Sequence, residues 1–144
     1  MARTSTYIVV AMALAALTVP VAGALAAEPT GVWTAAEGKS RVKISKCGAN
    51  LCGSVVWLRE PNDETGKPKL DIHNADAGAR GRPILGVPVL LSMAPEGDLW
   101  RGRIYNAEDG KTYSATFKLS GDAQATVQGC VAAVFCKTQT WTRN

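Results

Sequence analysis

The residues best able to do chemistry in this 144-residue chain are four cysteines, a single histidine and several arginines set beside aromatics. Cys47 and Cys52 flank Gly48-Ala49-Asn50-Leu51, a turn between two strand-like runs. Cys130 and Cys136 flank a second short loop, Val131 to Phe135. Local pairing, Cys47 with Cys52 and Cys130 with Cys136, needs no assumption about distant packing. Each short ring stabilises by about 2 kcal/mol in the loop-entropy picture. A four-thiolate metal site wants shorter spacers and a reducing compartment, so the cysteines read as staples, with no metal or cofactor expected.

His73 lies among Asp71, Asn74 and Asp76. A calcium site needs more carboxylates at tighter alternation and a glycine at the sharp turn. Asx turns and a helix N-cap explain the three Asx residues more economically. As a base, His73 has no Ser or free Cys near it in sequence. Arg101, Arg103 and Tyr105 fall on one face of a strand, and Arg80 and Arg82 close a long loop. That basic surface, Arg82, Arg101 and Arg103, could grip an anionic headgroup or glycan, or be an ordinary solvated face. No nucleophile–base pair, paired carboxylates or phosphate loop is visible, so no enzyme and no catalytic residue is expected.

The elements that position these residues begin after residue 26. Arg3, the apolar run 7–19, Pro20 and Ala24-Leu25-Ala26 form a secretory signal with cleavage expected after Ala26. The protein is then periplasmic or secreted, and residues 27–144 form one domain. No cysteine stands near the cleavage point, so lipid anchoring is not expected. The net charge of +4 suits solubility or an anionic envelope surface and is too dispersed for nucleic acid.

Strand signals dominate the rest. Short alternating runs open at Gly31, Arg41, Gly53, Val87, Leu99, Lys111, Gln124 and Lys137, mostly joined by hairpin turns. Residues 59–86 break the pattern: they form a long polar excursion in which 75–80 could hold one helical turn. Eight antiparallel strands close most economically into an up-and-down barrel, with a two-sheet sandwich as the alternative. The polar outward face Thr112, Ser114, Thr116 and Lys118 sets aside a membrane-spanning barrel. First and last strands are neighbours in a closed barrel, so Arg143 can cover Trp33 beside Trp141 and shut the floor. Val42, Ile44, Trp100, Ile104, Tyr113, Phe117, Val127 and Trp141 should point inward. Gly102, Ala115 and Ala125 on the same faces make room either for a ligand cavity or for bulky indoles.

Gly31-Val32-Trp33 with an arginine on the last strand resembles the closure of lipocalin and calycin barrels. Further segments resemble the bacterial domain of unknown function 2147 family. They are Cys52-Gly53-x-Val55-Val56-Trp57-Leu58, Asp71-x-x-Asn74-x-Asp76 leading to Arg82-Pro83-x-Leu85-Gly86, Trp100-x-Gly102-x-Ile104-Tyr105, Glu108 to Ala115 and Gln139 to Arg143. Asn74-Ala75-Asp76-Ala77 and Asn106-Ala107 depart from the family's proline-bearing turns, which affects turn rigidity rather than fold. The resemblance implies a small exported lipocalin-like barrel and supplies no reaction. The expected function is binding of a small apolar or amphipathic ligand at the barrel mouth, through Trp57, Trp100, Tyr105, Tyr113 and Gln139. The alternative is a structural or protein-interaction module of the cell envelope with a filled core.

Overall fold

A computed structural model describes residues 27–144. The expected signal sequence lies outside the described residues. Eight strands follow one another: β1 (Gly31–Thr34), β2 (Ser40–Cys47), β3 (Asn50–Leu58), β4 (Pro88–Glu96), β5 (Leu99–Asn106), β6 (Lys111–Leu119), β7 (Gln124–Val131) and β8 (Phe135–Arg143). Each pairs antiparallel with its successor, and β1 pairs with β8 through Trp33 opposite Arg143, closing the barrel. Two 3-10 turns, Ala36–Gly38 and Ala77–Ala79, complete the regular structure, and the second falls within the helical segment expected in the long loop.

The eight runs form strands for the reason their patterns suggest. Val42 and Ile44 are buried while Lys43 and Ser45 are exposed, and Ala115 and Phe117 are buried while Ser114 and Lys118 are exposed. A one-residue slip would put both apolar sets into water, which pins the register. Strand ends differ from the sequence reading at several places. β3 begins at Asn50 and β8 at Phe135, because each disulfide hairpin keeps its ladder to the turn. β4 runs on to Glu96 through Pro95, beyond an irregularity between Leu91 and Ala94 where Ser92 takes a positive φ of 48°.

That bulge decides how the core fills. It sends Met93 fully inside, with its Sδ 2.8 Å from where a Cβ on Gly102 would sit. The room left by Gly102 is therefore taken by thioether rather than by a ligand. Ala125 stands opposite Trp141 in register and is fully buried. Phe117 lies at the centre, edge-on to Trp33 (5.6 Å), Trp100 (5.9 Å) and Trp141 (6.5 Å). Each such pair adds about 0.5–1.5 kcal/mol beyond the area it buries. Three indoles around one phenyl ring plug this half of the barrel.

Both expected disulfides are formed, Cys47 with Cys52 and Cys130 with Cys136, and no described cysteine is free. They tie the ends of two hairpins, one at each end of the barrel. Formed disulfides suggest a location outside the reducing cytoplasm. Among the described residues no helix is long and apolar enough to cross a membrane.

Candidate functional site

The two ends of the barrel differ in chemistry. At one end the chain enters and leaves, and Arg143 binds these segments together. Its guanidinium lies 4.3 Å from the centre of the Trp33 ring. It donates to the carbonyls of Thr30 and Asp122, each at 2.7 Å, and to that of Glu28. Trp33 donates its indole N–H to the Pro29 carbonyl at 2.9 Å. Trp33 and Trp141 are buried beneath this cap. This end is shut, with the residues expected to shut it.

The other end carries the 107–110 turn, the 132–134 turn and the 59–87 loop. Ile104, Tyr113, Gly129 and Gln139 keep the inward alternation of their strands yet are only half-buried. Ile104 Cγ2 lies 3.4 Å from where a Cβ on Gly129 would stand, so the Ile104 side chain reaches past β6 and packs over that glycine. Gln139 accepts the Trp141 indole N–H at 3.3 Å, placing a polar floor above the indoles. Tyr113 donates its hydroxyl to Asp109, and that bond, with burial and the carboxylate's charge, pushes the phenol above its ordinary pKa. Around these residues stand exposed apolar side chains: Trp57, Ile72, Val131, Val134 and Phe135. Trp57 lies under the Arg41 guanidinium at 4.6 Å. A rim hollow of about 550 Å³ opens on the outer side of β6 and β7, where Thr112, Ser114 and Cys130 line it with Lys111, Val131 and Ala132.

The ligand residues expected from sequence do not converge. Tyr113 and Gln139 point into the open half and Trp57 stands at its rim. Trp100 packs into the aromatic plug against Phe117. Tyr105 has the alternation of Arg101 and Arg103 but is buried, because the long loop folds over the outside of the barrel there. Its hydroxyl donates to Asp71 at 2.5 Å.

Asp71 corrects the sequence reading most sharply. Asp76 does cap the 3-10 turn by accepting from Gly78 N–H, and Asn74 does accept from the Asp76 N–H. Asp71 makes no Asx turn: it is fully buried and accepts from four donors. These are Tyr105 Oη, Asn74 Nδ2 (2.8 Å), Arg82 Nε (3.0 Å) and Arg82 Nη2 (2.9 Å). Its own amide donates to the Arg82 carbonyl. Burial pushes this carboxyl up, but the bonds from Tyr105, Asn74 and Arg82 and the arginine's charge outweigh it. The net effect holds the group below the ordinary aspartate range. Burial, then the bond to Asp71 and its charge, raises the Tyr105 phenol. A buried ion with both oxygens held by donors, one of them charged, is a fastening rather than a reactive group.

The basic stripe is correspondingly dismantled. Arg82 belongs to Asp71, Arg101 pairs with Glu96, and Arg103 is exposed. His73 contributes its backbone: its carbonyl would lie 1.7 Å from a Cβ on Gly110, whose φ is +71°, so only glycine lets the loop seat on that turn. Among the described residues no three potential metal ligands come together. The signal that could have revealed Asp71 is its spacing to an arginine within a proline-bounded loop, which reads identically in a solvated turn.

A solved structure of similar fold is titled "Protein HP1028 from the human pathogen Helicobacter pylori belongs to the lipocalin family". It superposes with a TM-score of 0.70 at 22% identity, covering 81% of this chain and 83% of that one. At that identity the likeness establishes a lipocalin-like barrel and nothing of what is bound. No curated protein matches the chain. Residues 31–143 match the family described as "Uncharacterized protein conserved in bacteria (DUF2147)", and the chain belongs to that family.

Proposed function

We propose that this is an exported, non-enzymatic binding protein, periplasmic or secreted, that holds a small amphipathic molecule in the open half of its barrel. One observation carries the reading. The inward-facing residues Ile104, Tyr113, Gly129 and Gln139 stay accessible, whereas those farther along the same strands toward the closed end, Ala115, Phe117, Val127, Ala125 and Trp141, are sealed. An apolar tail would rest on Ile104 and the Gln139–Trp141 floor, and a polar head would meet Tyr113, Asp109 and Lys111 at the rim. Lipocalin-like barrels suit such cargo because closure leaves an end pocket without exposed strand edges. The site is shallow because the plug occupies the deeper half, so short or single-chain ligands fit better than bulky ones.

Titration with single-chain lipids, followed by tryptophan emission, tests the proposal. Trp57 and Trp141 border the open half, so a saturable change is expected, and Trp57→Phe should remove part of it. Native mass spectrometry of the protein recovered from its natural compartment should show a stoichiometric small adduct. No adduct and no spectral change across chain lengths would overturn the proposal. A second reading, a filled barrel serving as an envelope interaction module, draws support from the aromatic plug. It predicts a crosslinked partner protein and no adduct.

A further inference from the structure

The tip of the β7–β8 hairpin departs from what a turn in water should be. Its central residues, Ala132 and Ala133, both take positive φ (51° and 58°), and Val134 N–H bonds back to the Val131 carbonyl at 3.4 Å. That geometry normally calls for Asn-Gly, since an L-residue with a Cβ is strained in the left-handed region. Alanine holds both places here, and the flanks are apolar. Val134 is 77% exposed, Phe135 76% and Val131 51%. Immediately behind, Cys130 and Cys136 face each other in the ladder and are joined, so the strand ends are fixed in advance. A strained, braced tip that shows only hydrocarbon to solvent is costly unless something apolar receives it.

Charge indicates what that is. From Ala123 to Thr142 the chain has no acidic residue, and its sole charge is Lys137. Lys137 lies on β8 two residues behind Phe135, on the same face and exposed. Lys111 lines the rim hollow together with Val131 and Ala132. Three carboxylates stand nearby, each held by a partner: Asp109 accepts from Tyr113 and from Lys111 N–H, Glu37 pairs with Lys39 at 2.8 Å and feels the charge of Lys137, and Glu108 lies 3.9 Å from Lys39. Apolar side chains projecting beyond lysine ammonium groups, from a tip that itself carries no acid, match the boundary between acyl chains and anionic headgroups. We propose that the 131–135 tip is a membrane-docking finger that inserts Val134 and Phe135 into an anionic lipid surface, with Lys137 and Lys111 at headgroup level. The proposal does not depend on whether the barrel mouth holds a ligand.

The test is vesicle co-sedimentation of protein purified after export, its mass measured so that residues 7–19 are known to be gone. Phosphatidylglycerol-containing vesicles are compared with pure phosphatidylcholine at low and moderate salt. Binding is expected on the anionic vesicles and should weaken with salt. Val134→Ser with Phe135→Ser should reduce it by roughly ten- to a hundredfold, from the apolar transfer lost. Ala132→Asn with Ala133→Gly relaxes the turn and supplies the fold control: the thermal midpoint should rise while binding falls. Equal binding by wild type and the Ser variant, or no binding to anionic vesicles, overturns the proposal. So does a concentration-dependent dimer abolished by the same substitutions without vesicle binding, which would make the tip a contact between copies.

Discussion

Replacing Tyr105 with Phe and Asp71 with Asn, singly and together, isolates the bond that fastens the long loop to the barrel wall. The Tyr105 hydroxyl meets a buried carboxylate at 2.5 Å, and hydrogen bonds to charged groups contribute about 1.5–3 kcal/mol. Tyr105→Phe should therefore cost about 2 kcal/mol. Asp71→Asn removes the countercharge of Arg82 and turns an amide N–H₂ toward existing donors. Breaking a buried pair costs about 3–5 kcal/mol, and the low end applies because Arg82 is 40% exposed and can recruit water. The double variant should lose less than the sum, with a coupling of about 1–2 kcal/mol. Urea unfolding followed by tryptophan emission measures all four corners of the cycle, and hydrogen exchange at Asp71 and Ile84 N–H reports the loop itself. The pH dependence supplies an independent sign. The folded pKa of Asp71 lies below its unfolded value of about 3.9, so its contribution is complete above that pH and lost as pH falls through the folded value. Tyr105 runs the other way: with its phenol raised, its contribution is complete below about pH 10 and lost as pH rises toward the folded value. A coupling below about 0.5 kcal/mol, or an acid limb unchanged in Asp71→Asn, would refute the fastening.

Other perturbations reach the remaining parts of the structure. Phe117→Ala should cost about 3–5 kcal/mol, read by urea unfolding, because three indoles lose their shared partner. Arg143→Lys keeps the charge but loses the planar fork that reaches the Thr30 and Asp122 carbonyls together, and a drop of about 1–3 kcal/mol is expected by the same assay. Gly110→Ala should displace the His73 backbone and raise hydrogen exchange across 70–84 while leaving the aromatic plug protected. Reducing the two disulfides should remove about 2 kcal/mol for each, seen as a lower urea midpoint with dithiothreitol.

The barrel was legible because strand alternation is a local property. Val42 and Ile44, or Ala115 and Phe117, announce their face without knowledge of any neighbour. The seam was legible for a different reason, since closure forces the first and last strands together and Trp33 and Arg143 then have one arrangement. What could not be seen was whatever depends on a segment crossing the barrel wall. Asp71 in a run of Asx, Gly and Pro residues has the composition of a solvated turn, and only the fold brings Tyr105 beneath it. Tyr105 likewise shares its alternation with two arginines that are exposed. The filling of the space beside Gly102 turned on a bulge at Ser92, which no periodicity marks.

The division of the barrel into a plugged half and an open half is tested most directly by nuclear magnetic resonance during titration with a single-chain amphiphile such as lysophospholipid. Saturable shifts confined to Ile104, Tyr113, Gly129 and Gln139, with Trp33, Phe117 and Val127 unmoved, are the predicted result. Shifts centred on the Phe117 layer, or a spectrum that stays still throughout, would contradict it.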